Sequence, residues 1–308
     1  MTLCLILLYF HMIFLGGFAI GGMWNKWGQP IIKHTKFPNN TVAFKLLFTE
    51  ATPNDIPFLE GSPTWKATIA KQPLTLNGPR RERTSPVDLH LLQVDIAVRD
   101  SRADDTTGWI FGTFMYHNSV QNENPWKRLM PVCLTWGNDP SLTSEKYDQG
   151  ERPKESWVNP KAVATLPKNR PYFGWLERGN GPIDKFKSSC ISCHSTASHP
   201  SQDYLTKDAT KIMDWFRNIK AGERFGSEGV SLDYSLQLSA GFDNYKDWSA
   251  LWWPVPKFPL YLGKRGASVP LTNRKLNARG IDASDYNLES DDSKCVTQEK
   301  CINNKIVK

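Results

Sequence analysis

Leu92, Val94, Ile96 and Val98 alternate with Gln93, Asp95 and Ala97, and no other segment narrows the choice of fold so far. A period of two puts the four apolar side chains on one face of a strand, whereas a helix would scatter them around its axis. The polar stretch from Asp100 to Gly108 then leads into Trp109-Ile110-Phe111-Gly112-Thr113-Phe114-Met115-Tyr116, which is apolar on both faces. That pair predicts a hairpin with a long loop whose second strand is central. Leu129 to Trp136 is a third strand, ended by the turn Gly137-Asn138-Asp139-Pro140, and Val42 to Thr49 and Lys66 to Lys71 are weaker ones. Of the 308 residues 40% are hydrophobic and 12% aromatic, enough apolar surface to exclude a chain disordered throughout. The expected class is α+β: a β-rich, sandwich-like region over 24–150, then a mainly helical and loop region over 151–260, then a polar tail over 261–308.

Residues 1–23 carry no Lys, Arg, Asp or Glu, and Leu5, Ile6, Leu7, Leu8, Phe10, Ile13, Phe14 and Leu15 make them densely apolar. Such a run is expected to be a signal peptide or a membrane anchor, since about 20 apolar residues span a bilayer. Lys26, Lys33 and Lys36 follow the run and no basic residue precedes it. By the positive-inside rule alone this would keep the body of the chain in the cytoplasm. A basic stretch upstream would remove that conflict. The mean hydropathy of -0.46 excludes a polytopic membrane protein. The net charge of +7 is scattered rather than gathered in a stripe, so nucleic acid is not an expected partner.

Cys190-Ile191-Ser192-Cys193-His194 is a C-x-x-C-H pentapeptide, the attachment signature of c-type haem. Two thiols three positions apart on a helical turn can each add to one of the two porphyrin vinyl groups. The adjacent histidine then lies under the iron as proximal ligand. A zinc site from Cys190, Cys193, His194 and His199, a thioredoxin-like dithiol, and a local Cys190–Cys193 disulfide are the competing readings. Zinc motifs usually draw their second pair from farther along the chain, and the stretch Gly179-Asn180-Gly181-Pro182-Ile183-Asp184 before the motif is turn-like rather than a strand. Export agrees with haem, because bacterial c-type haem is attached outside the cytoplasmic membrane; the expected location is the periplasm, soluble or anchored by the first segment.

For the sixth iron position the candidates are Met115, Met130, Met213, His34, His90, His117 and His199. Met213 lies in a segment whose apolar residues Ile212, Trp215, Phe216 and Ile219 predict an amphipathic helix capped at Gly222. It falls at the edge of that stripe, where core packing accounts for it as well as iron ligation does. An open iron is equally compatible. A second helix is expected from about Ser231 to Ala250, with Tyr234, Leu238, Gly241 and Tyr245 on one face, and Trp248, Trp252 and Trp253 following closely. Cys133 reads as a buried free thiol, and Cys295 with Cys301 as a small disulfide loop in an oxidising compartment.

Several stretches together resemble a group of exported single-haem cytochrome c family proteins of proteobacteria. They are Gln93 to Asp100, Gly108 to Phe114, Pro131 to Pro140, Asn180 to Asp184, the Cys190–His194 motif, and Asp233 to Leu238. The resemblance covers residues 90–250 and implies one covalent haem c on Cys190, Cys193 and His194; it supplies no substrate. Two classes of function follow. An electron carrier would meet a redox protein partner through its basic surface. A haem enzyme or ligand sensor would instead keep an open distal iron.

Overall fold

The computed structural model describes residues 6–10, 36–69, 84–166, 173–200, 209–239 and 241–242. Its centre is a seven-stranded antiparallel sheet built on the segment that alternates most strictly. The strands are β1 (Ile6–Phe10), β2 (Val42–Thr49), β3 (Thr64–Ala67), β4 (Val87–Arg99), β5 (Trp109–Tyr116), β6 (Leu129–Thr135) and β7 (Ser156–Val158). They run in the order β1-β2-β4-β5-β6-β7, with β3 pairing the first residues of β4. The predicted hairpin is present, with Asp95 opposite Thr113 and Ala97 opposite Phe111. Among the described residues the large sheet has no second one packed on it as in a sandwich; the only other sheet joins two-residue strands β8 (Ser198–His199) and β9 (Val230–Ser231).

Between β2 and β4 the register skips Leu92, so that Leu47 faces Gln93 while Phe48 faces Leu91. This bulge shifts the alternation by one residue, so that Leu91 and Val94 flanking it share a core while the skipped Leu92 points to another. Phe48, Leu89, Leu91 and Val94 pack with Ile69, whereas Leu92 joins Met115, Met130 and Val132. Toward one end of β5, Trp109 and Phe111 collect Phe37, Ile191, Ala197, Leu232, Tyr234, Leu238 and Phe242. The segment carrying the C-x-x-C-H motif therefore shares a core with the sheet.

Among the described residues after 150, helix is the minority structure. The α-helices described there end to end are α2 (Pro160–Thr165) and α3 (Cys190–His194), short like α1 (Ser144–Asp148) before them. The segment of Met213 is a 3-10 helix over Ala209–Trp215 rather than an amphipathic α-helix. Trp215, Phe216 and Ile219 are nevertheless buried, so the apolar spacing reported burial correctly and helix type wrongly. The second expected helix does not start at Ser231, which ends β9. Residues 232–235 form a turn, and helical structure begins at Leu236. No helix among the described residues is long and apolar enough to cross a membrane. Most of residues 1–23, as well as His34, Tyr245, Trp252, Trp253, Cys295 and Cys301, lie outside the described residues.

Candidate haem attachment site

Helix α3 is only five residues long and owes its position to its first turn. Ser189 is the N-cap: its hydroxyl accepts from Ser192 N–H at 2.9 Å, and Ser192 Oγ accepts from Ser189 N–H at 2.8 Å. This reciprocal box satisfies two donors that a helix start leaves open. The Ser189 hydroxyl also donates to Asn138 Oδ1 at 2.7 Å. Asn138 in turn donates its side-chain amide to the Arg217 carbonyl and its backbone N–H to Asn218 Oδ1. Asn138 is fully buried, so Asn138→Ala leaves the Ser189 hydroxyl and the Arg217 carbonyl to find other partners. The expected cost is about 1–3 kcal/mol, read as a melting temperature lowered by several degrees. An unchanged melting curve would mean that this node does not brace the motif.

Cys190 and Cys193 are free thiols, both half-buried, and Cys133 is a free thiol buried in β6 as its sequence context predicts. Asn180 touches two of the three, accepting from Cys133 Sγ with its carbonyl at 3.4 Å and from Cys190 Sγ with its side-chain oxygen at 3.7 Å. Burial pushes the Cys193 thiol up to about 11 and the Cys190 thiol well above the ordinary range. His194 is pushed down to about 4, again by burial, with the bond to Tyr234 opposing. Its imidazole is therefore neutral at pH 7.

His194 Nδ1 lies 2.9 Å from the carbonyl oxygen of Tyr234. A carbonyl only accepts, so Nδ1 carries the proton and Nε2 keeps its lone pair. The ring rests on Phe111 at 4.8 Å between centroids. A neutral imidazole with one nitrogen oriented by a carbonyl and the other basic is the usual arrangement of a metal-binding histidine.

The partner carbonyl belongs to the turn Leu232–Ser235, closed by Ser235 N–H donating to Leu232 O at 3.0 Å. Both central residues sit at positive φ, Asp233 at 48° and Tyr234 at 69°. For non-glycine residues this costs roughly 1–2 kcal/mol each. The cost is offset by side-chain anchoring. The Asp233 carboxylate accepts from Phe37 N–H, Trp109 Nε1–H and Gly222 N–H, and the Tyr234 hydroxyl donates to the Ile219 carbonyl. Gly222, expected as a helix cap, instead supplies a donor to this turn from φ +84°.

A second polar group lies on the sheet near the motif. Lys45 pairs with Asp95 at 2.7 Å and lies 3.8 Å from Asp184. Gln93 donates to both carboxylates and Thr113 donates to Asp95. Burial pushes the Asp95 carboxyl up, with Lys45 opposing. The charges of Lys45 and Asp184 are felt at Cys190, Cys193 and His194 alike.

Of the sixth-ligand candidates, Met115 and Met130 belong to the core cluster of Leu59 and Tyr116, which has no motif residue in it. His90 is hydrogen-bonded to Ser62, and His117 stacks on Phe58. His199 lies in β8 with its ring tilted on Phe242. Met213 is the one that packs on the same cluster as Cys193, formed by Trp215, Phe216, Ile219 and Phe225. In that cluster Trp215 Nε1 is buried with no hydrogen-bond partner, an unmet donor of the kind a buried carboxylate side arm of haem would satisfy. Among the described residues no three His, Cys, Asp or Glu side chains converge as a site for a bare metal ion. The donors that the structure does bring together are two thiols on one short helix and a neutral imidazole aimed by a carbonyl.

Sequence reasoning missed Asp233, Tyr234 and Phe111 as parts of the site. The signal present was Asp-Tyr-Ser after an apolar Leu232, a turn-forming Asp that the helical spacing of Tyr234 and Leu238 obscured. The chain matches no family model, no curated protein and no solved structure.

Proposed function

We infer that this chain is an exported c-type cytochrome that holds one haem through Cys190 and Cys193, with His194 as proximal ligand, and transfers electrons through its iron. The observation that carries the reading is the hydrogen bond from His194 Nδ1 to the Tyr234 carbonyl within a C-x-x-C-H helix. When bound, haem supplies a one-electron couple between ferric and ferrous iron. The chain's own part is to hold and tune. Cys190 and Cys193 fix the porphyrin edge, and His194 offers Nε2 from a ring held by Tyr234 and Phe111. The cluster of Trp215 and Phe216 beside Cys193 excludes water from one side. Met213 is the candidate distal ligand that its packing beside Cys193 supports.

The charge-free apolar composition of residues 1–23 supports export to the periplasm. Anchoring through that segment would require Ile6–Phe10 to leave its pairing with β2, and the net charge of +7 suits an acidic redox protein partner. One observation favours a second reading, a haem enzyme or ligand sensor with an open iron. It is the Lys45, Asp95 and Asp184 group near the motif, more ionisable machinery than an electron carrier needs. Rapid carbon monoxide binding to the ferrous protein would favour this reading, and a methionine-to-iron charge-transfer band in the ferric protein would favour the carrier.

The test is maturation in a host competent for c-type haem attachment, followed by mass spectrometry and a haem stain after denaturation. The parent chain is expected to carry one haem that survives denaturation. Cys190→Ala with Cys193→Ala is expected to lose it completely. A bare polypeptide mass for the parent overturns the reading.

A further inference from the structure

Asp and Tyr are not equivalent in a turn whose two central residues lie in the left-handed region. Asp visits that region with local hydrogen bonding to support it, whereas a bulky aromatic residue there is an outlier. Tyr234 at φ 69° is therefore held rather than self-selected, and the holding runs through its neighbour. Asp233 is almost completely buried, and its carboxylate gathers three donors from distant parts of the chain. They are Phe37 N–H before β2, the Trp109 indole at the start of β5, and Gly222 N–H in the loop after the 3-10 helix. The outcome is one carbonyl, that of Tyr234, aimed at one imidazole nitrogen. Strained backbone over-determined by its surroundings is a recurrent mark of a functional site.

We propose that Asp233 is a positioning residue for the iron ligand. By locking the Leu232–Ser235 turn it fixes the Tyr234 carbonyl against His194 Nδ1 and so sets the electron donation of that imidazole. This rests on the haem reading above. A firm Nδ1–H···O=C bond makes Nε2 a stronger donor, which favours ferric over ferrous iron. A loosened bond raises the midpoint potential. Asp233 touches neither His194 nor the porphyrin in this account and acts only through the turn.

Asp233→Asn is the first variant, because it keeps the shape but sets an amide N–H₂ or a weaker acceptor against three donors. Trp109→Phe is the second, removing one donor while keeping an aromatic ring in the core. Both are prepared as haem-loaded protein, with haem content measured first. The readouts are the midpoint potential and the hydrogen exchange of the His194 ring N–H by proton NMR. Asp233→Asn is expected to lower the ferric-to-ferrous ratio at a fixed ambient potential up to about tenfold, a rise of at most about 59 mV for one electron. Its ring N–H is expected to exchange at least several-fold faster, and Trp109→Phe to shift both readouts less in the same direction. A loss of thermal stability with potential and exchange unmoved shows a merely structural role and overturns the proposal. Should Asp233→Asn not accumulate, an unmoved potential and exchange in Trp109→Phe overturns it likewise. A parent chain without covalent haem removes the haem reading itself, and this inference with it.

Discussion

On the proposed haem reading, replacing His194 with Ala is expected to leave the thioether links intact while destroying the normal spectrum and potential of the iron. His194 is the residue of the motif whose geometry is already that of a ligand, with Nδ1 committed to Tyr234 and Nε2 basic. None of the other described histidines stands in that relation: His90 is engaged by Ser62, His117 lies on Phe58 and His199 on Phe242. Among the described residues, no other histidine has its Nδ1 held by a backbone carbonyl in this way. Axial ligation spans about 0.8 V among haem proteins, so losing the proximal nitrogen is expected to move the midpoint on the order of 100 mV or more. Stability should change less. The variant forfeits one neutral hydrogen bond and a ring contact with Phe111, together about 1–2 kcal/mol. Added imidazole is expected to restore much of the absorption spectrum in the smaller His194→Gly variant. If His194→Ala keeps the parental spectrum and midpoint, another residue is the proximal ligand.

The C-x-x-C-H pentapeptide is legible because its spacing is local, and the structure places its two thiols and imidazole on one short helix. The strands were legible for a similar reason, since the alternation of Leu92 to Val98 is a local record of a sheet with two distinct faces. Where the sequence reading failed, the deciding contacts are long-range. The spacing of Tyr234 and Leu238 fits a helix, yet the donors gathered by Asp233 come from residues 37, 109 and 222 and hold a left-handed turn there instead. Ala209–Trp215 is similarly overruled. The chain just beyond it is pinned at Asn218 by Asn138 and by Glu155, which favours a short, tight helix over a long amphipathic one. Buried charge was equally invisible. Arg178 is wholly enclosed, donating to the carbonyls of Asn138, Asp139 and Leu142 with its guanidinium over the Phe216 ring. Nothing in the local run Leu176-Glu177-Arg178 distinguishes it from a surface arginine.

The same tight segment gives the largest expected effect on stability. Gly174→Ala would place its Cβ 1.7 Å from the Ser188 carbonyl oxygen and 2.8 Å from the Ser188 carbonyl carbon. Both atoms are backbone, so no side-chain rotation relieves the overlap. Trp175 N–H donates to that same Ser188 oxygen at 2.9 Å, and Gly174 N–H donates to the Arg178 carbonyl at 2.9 Å. Relief therefore requires the 174–178 turn to part from Ser188, the residue immediately before the N-cap of α3. Leu176 at φ 52° and Glu177 at φ 63° already hold that turn in the left-handed region, so it has little freedom to yield elsewhere. The expected loss is roughly 3 kcal/mol or more, at the upper end for an overpacked site. It should appear as a large drop in the urea midpoint and, because Ser189 caps the motif helix, as a fall in haem attachment during maturation. Gly150→Ala is the control. Gly150 lies at φ +99° with nothing within 4 Å of the added carbon, so it tests backbone conformation without packing and should cost only about 1 kcal/mol. Equal losses in the two variants would show that the close approach of residue 174 to Ser188 does not support the motif.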